Sequence, residues 1–177
     1  MRLYYVAGCF FDLCLRISDN PPNCVPFLAL ILCSSFEMRR TYALAGICIY
    51  MTLVNVLLWF IRDYPIIGWW SVFQLMSYML NILIGNLMSA IVLFPPCKRG
   101  ISCAGISMLS TLQFFLITNF GVWLSGNMYP LTFRGLVECY EMGIPFVRWQ
   151  MLTDVGFLLL ILSYYTNDIK HEYVPLV

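Results

Sequence analysis

The chain has 177 residues, 61% of them hydrophobic and only 11% charged, with ten Lys and Arg against nine Asp and Glu; its mean hydropathy is +0.81. A soluble domain carries roughly 25% charged and 45–50% apolar residues. The composition therefore excludes a soluble globular protein, a disordered chain, a coiled coil, a disulfide-stapled secreted module and a nucleic-acid binder, each of which needs charge, a heptad pattern or a basic surface. What it predicts is an all-α fold, a single integral membrane domain over residues 1–177.

Crossing a hydrocarbon core of about 30 Å takes around 20 mostly apolar residues, and apolar runs bounded by charges give a polytopic bundle of about six transmembrane helices. The first segment covers 3–15 and carries Asp12. The second, 25–36, offers a short apolar run before Glu37-Met38-Arg39-Arg40 and reads as a short, tilted or re-entrant helix. The third and fourth cover 41–61 and 71–94, the fifth 101–124 and the sixth 149–165. Turn chemistry separates them at Asp19-Asn20-Pro21-Pro22-Asn23, Arg62-Asp63-Tyr64-Pro65, Pro95 to Gly100 and Ser125-Gly126-Asn127, where Pro fixes φ and Asn or Gly accepts positive φ. The longest connection is an outer loop over 125–148, with a short interfacial helix predicted from Gly135 to Gly143 before Pro145.

Charge sets the orientation. With the N-terminus inside, Arg2, Arg39, Arg40, Lys98, Arg99 and Lys170 fall on the cytoplasmic side, and Arg16, Arg62, Arg134 and Arg148 outside. Trp69, Trp70, Trp123, Tyr129 and Trp149 then lie at outer helix ends, where amphipathic rings suit the interface. The expected location is the bacterial cytoplasmic (inner) membrane, multi-pass, with the C-terminus cytoplasmic.

The eight cysteines form no CxxC pair or Cys/His cluster, and the one histidine, His171, lies in the tail. No metal site and no cofactor is expected. Gly-x-Ser-x-Gly and Walker A motifs are absent, and a second histidine is missing too, so no enzymatic activity is expected. Cys24 and Cys139 both fall on the predicted outer side, and their pairing is left open.

The intramembrane polar residues crowd toward the outer half of the bilayer. Residues at i and i+4 share a helical face, which pairs Gln74 with Tyr78, Ser77 with Asn81, Asn119 with Trp123 and Gln150 with Asp154. Such groups act as glue between helices or line a pocket; their shared depth favours a pocket walled by segments four to six and covered by the 125–148 loop. Asn119, Trp123, Tyr140 and Asp154 are the expected substrate-binding residues, with Asn81, Gln74, Gln150 and Arg148 in support. Trp123 and Tyr140 would stack on a planar ligand, and Asp154 would hold a cationic group or fix Arg148. Small residues on apolar helices, among them Ala29 and Cys33, suggest close packing or a docking face.

Thr118-Asn-Phe-Gly-Val-Trp-Leu124, then Tyr129-Pro130-x-Thr132-x-x-Gly135-Leu136-x-x-Cys139-Tyr140, Pro145-Phe146 and Asp154, with Pro22-Asn23 ahead of Val25-Pro26-x-x-Ala29-Leu30, resemble a family of small bacterial membrane proteins of unknown function. That family in turn resembles the substrate-binding S components of energy-coupling factor transporters. The resemblance implies a vitamin or micronutrient-like ligand near the outer face and docking onto a transmembrane coupling protein with ATPase subunits, through Ala29, Cys33, Arg39 and Arg40. The expected function is thus a non-catalytic small-molecule binding or uptake component, the alternative being a structural or assembly subunit without a ligand.

Overall fold

The computed structural model describes residues 3–18, 23–63, 65–87 and 96–172. Among them are six helices and no strand: α1 (Leu3–Ile17), α2 (Phe27–Glu37), α3 (Arg40–Arg62), α4 (Trp69–Gly85), α5 (Pro96–Leu124) and α6 (Phe133–Glu172). The predicted turn residues 19–22 and the end of segment four beyond Leu87 lie outside the described residues. Three stretches are long and apolar enough to cross a membrane: Arg40–Arg62, Arg99–Leu124 and Phe133–Ser163. They mark the chain as a membrane protein, consistent with the large side chains that α3 exposes, such as Leu53 and Phe60.

The second segment takes an unexpected role. Its 11 helical residues rise only about 16 Å at 1.5 Å each, roughly half a hydrocarbon core. Leu28, Ala29, Ile31 and Leu32 are at most 1% exposed, so α2 is the buried centre of the bundle. A helix that is apolar on every side has no solvent or lipid face to prefer and is buried by its neighbours. On one side Ala29, Leu30, Leu32 and Cys33 pack with Tyr5, Ile84, Cys103, Leu158 and Ile161. On the other, Phe27, Leu28 and Ile31 meet Ala43, Ile47, Tyr78 and Ile82. Close approach to α4 depends on Gly85, where a Cβ would lie 2.6 Å from Ser35 Cβ and 3.0 Å from the Leu32 carbonyl oxygen.

Ala29 and Cys33, expected to offer a docking face, are therefore inside the core at 0% and 5% exposure. Their smallness serves packing within the chain. Arg39 and Arg40 are exposed at the α2–α3 turn.

The second correction concerns the long outer loop. The loop after α5 covers only residues 125–132, and α6 starts at Phe133 and runs without interruption through Pro145. Proline removes one backbone donor, yet long membrane helices tolerate it because neighbours resatisfy the freed carbonyl. The expected interfacial helix and the sixth segment are one element. The short loop is pinned by Trp123 Nε1, which donates to the Pro130 carbonyl at 3.0 Å.

A polar cluster joins α1 to α3. Asp12, fully buried, takes Arg16 Nε at 2.6 Å and accepts the Tyr50 hydroxyl from α3. The Arg16 guanidinium also sits over the Phe27 ring, 5.6 Å from its centroid. At the same end Arg62 Nη2 donates to the Ile17 carbonyl at 3.0 Å, binding the last turns of α1 and α3 together.

Candidate functional site

Helices α4, α5 and α6 form a half-open cavity of about 230 Å³ towards the end of the bundle that carries Trp70, with Asn23 of the α1–α2 connection at its edge. Trp70 and Gln74 line it from α4; Phe114, Phe115, Thr118, Asn119 and Val122 from α5; Gly143, Phe146, Val147 and Gln150 from α6. Asn23 reaches the edge with φ of 60°, a left-handed conformation that Asn accepts more readily than most residues. Gly143 lets α6 close on α5: a Cβ there would meet Phe115 Cε2 at 2.6 Å and Asn119 Oδ1 at 2.8 Å.

The hydrogen bonding of the lining side chains is uneven. The Thr118 hydroxyl donates to the Phe114 carbonyl at 2.8 Å, and Asn119 Nδ2 to the Phe115 carbonyl at 2.8 Å. Gln150 is only 5% exposed, yet its amide has no hydrogen-bond partner among the described residues, and neither has that of Gln74. Gln74 is half-buried, and neither amide is closed off from the cavity's opening, so both can exchange a water for a ligand. Among the described residues the lining carries no charged side chain.

Of the eight expected binding residues, the structure brings Gln74, Asn119 and Gln150 together at the cavity. The other five lie elsewhere. Asp154 is fully buried one turn deeper: its Oδ1 accepts the Ala29 N–H at 3.1 Å and its Oδ2 the Thr111 hydroxyl at 3.1 Å. The N-cap position of α2 is Pro26, which supplies no side-chain cap. Asp154 provides from α6 the acceptor that a Ser or Asp at the N-cap ordinarily provides. Arg148 is exposed and forms no pair with Asp154.

Asn81 is also buried, and its Oδ1 accepts the Ser110 hydroxyl of α5. One turn along, the Ser77 hydroxyl donates to Gln113 Oε1 at 3.2 Å. These two rungs hold α4 to α5 as interhelical hydrogen bonds do in a bilayer. The Tyr140 hydroxyl donates to the Leu116 carbonyl at 2.9 Å, its ring 5.6 Å from that of Phe115, and so fastens α6 to α5. Cys139 Sγ donates to the Asn119 carbonyl at 3.3 Å, while Cys24 Sγ lies 3.5 Å from Thr153 Oγ1; both are free thiols.

The aromatic wall was missed in the sequence, although it carries a signal. In each helix an aromatic residue precedes the amide by one turn: Trp70 and Gln74, Phe115 and Asn119, Phe146 and Gln150. The i, i+4 partners named above for the three amides (Tyr78, Trp123 and Asp154) lie on the other side of each amide along its helix and belong to packing.

The family described as "Family of unknown function (DUF6580)" matches residues 2–173, and the chain belongs to it. No curated protein and no solved structure matches the chain.

Proposed function

We propose that this member of the family is a small-molecule binding component of a membrane transporter, without catalytic activity of its own, of the kind represented by the S components of energy-coupling factor systems. The supporting observation is the cavity between α4, α5 and α6, which the side chains of Gln74, Asn119 and Gln150 line from three different helices. A ligand with hydrogen-bonding groups would pair with those amides.

In this reading all six helical segments lie in the bilayer, α2 as a half-length helix within the bundle. The cavity faces outward, and the α2–α3 turn with Arg39 and Arg40 and the start of α5 with Lys98 and Arg99 lie in the cytoplasm together with the C-terminus, following the charge bias. The membrane is the bacterial cytoplasmic membrane. Docking onto a coupling protein with ATPase subunits would then use Arg39 and Arg40, since Ala29 and Cys33 are enclosed.

The test is the thermal stability of the detergent-purified chain against a panel of vitamins and nucleobases. Stabilisation of the wild type by a panel member, lost in Gln150→Leu, is expected; no shift with any compound rejects the binding role. A second reading, a structural or assembly subunit without a ligand, draws on the interhelical rungs Ser77–Gln113 and Asn81–Ser110. Copurification with a stable complex lacking any ATPase would favour it.

A further inference from the structure

Resting on the proposed binding site, the geometry points to an uncharged, planar heterocycle of one or two rings, bearing adjacent hydrogen-bond donor and acceptor groups, as the ligand class. The chemistry of the lining leads there in three steps.

Charge comes first. Among the described residues no Asp, Glu, Lys, Arg or His lines the cavity. The nearest acid below it, Asp154, is fully buried with both oxygens engaged, and Arg148, next to the lining residues Val147 and Gln150 in sequence, is exposed. A carboxylate, phosphate or ammonium group in this cavity would lose part of its hydration and gain no counter-charge from the described lining. A neutral ligand bears no such penalty.

Size and shape follow. A cavity of roughly 150 Å³ accommodates a benzene ring, so about 230 Å³ takes one substituted ring or two fused ones. Trp70, Phe114 and Phe115 on the walls offer flat faces, and aromatic rings prefer offset or edge contacts with other rings.

Recognition completes the set. A primary amide offers an acceptor and two donors in one plane, and a glutamine or asparagine reads an adjacent donor–acceptor edge through two parallel hydrogen bonds, as in adenine recognition. Gln74 and Gln150 enter from α4 and α6 with their amides open. Asn119, its Nδ2 bound to the Phe115 carbonyl, keeps its Oδ1 without a donor among the described residues. Three amides and no charge select for polarity without charge.

The experiment measures binding to the full-length protein in detergent micelles by equilibrium dialysis at pH 7.5. Two matched pairs serve as probes, nicotinamide against nicotinate and uracil against orotate, with indole as a purely apolar ring. The neutral member of at least one pair should bind about tenfold or more tightly than its carboxylate. Gln74→Leu and Gln150→Leu should each weaken that binding by about tenfold and leave indole binding and the ligand-free Tm unchanged. Equal or tighter binding of the carboxylates overturns the inference while the binding site stands. Binding of indole alone overturns it as well, leaving only an apolar cavity. Binding of none of the five compounds overturns the inference and the proposed function together.

Discussion

Asp154→Ala separates a structural role for this carboxyl group from a role in holding a ligand. The side chain is fully buried and accepts two hydrogen bonds, each of 3.1 Å, from the Ala29 N–H and the Thr111 hydroxyl. Truncation leaves Thr111 satisfied, because its hydroxyl also lies 3.1 Å from the Ser107 carbonyl. The Ala29 N–H, at the start of an enclosed helix with no cap of its own, loses its acceptor. Orphaning a buried donor costs about 1–3 kcal/mol, a range that overlaps the roughly 0.5–2 kcal/mol of a lost N-cap. A destabilisation of about 2–3 kcal/mol is expected, on the order of 5–10 °C in Tm. Asp154→Asn keeps an oxygen for Ala29 and an amide that Thr111 can accept from, so its cost should stay below about 1 kcal/mol. The assay is thermal unfolding in one detergent for all three proteins, read by intrinsic fluorescence. Equal stability of Asp154→Ala and the wild type refutes the capping role, as does damage in Asp154→Asn matching that in Asp154→Ala.

Asp12→Ala should lower stability by about 3 kcal/mol, because it leaves the Arg16 guanidinium without its carboxylate, while the Tyr50 hydroxyl keeps the Cys9 carbonyl at 3.2 Å; unfolding in the same detergent measures it. Gly85→Ala should cost about 1–3 kcal/mol, since its Cβ would press on Ser35 and the Leu32 carbonyl. Gly156→Ala, with open space at that position, should be neutral or add up to about 1 kcal/mol in the same measurement. Trp123→Phe removes the Nε1 bond to Pro130 and should cost no more than about 1.5 kcal/mol, leaving ligand binding intact in the dialysis assay.

Much of the architecture is written in local composition. The apolar runs locate six helices, three of them long and apolar enough to cross a membrane, because run length and terminating charges are local properties. The clustering of amides on segments four to six also led to Gln74, Asn119 and Gln150. What was not legible depends on contacts distant in sequence. That α2 is enclosed follows from five helices surrounding it. Nothing within residues 25–36 separates a buried half-helix from a short tilted crossing. Asp154 looked like a binding residue because intramembrane acids usually mark function; its partner Ala29 lies 125 positions away. The early start of α6 was hidden by Gly143 and Pro145, two residues that ordinarily punctuate a chain. Here Gly143 admits Phe115 and Asn119, and helix packing on both sides of Pro145 carries the element through.

The most direct test of a ligand site between α4, α5 and α6 is to extract the small molecules that copurify with the wild type and with a Gln74→Leu/Gln150→Leu variant of equal Tm, and to compare them by mass spectrometry. A site of this kind predicts at least one uncharged heterocyclic compound, near one per chain, enriched about tenfold or more in the wild type. Indistinguishable extracts from the two proteins would contradict it.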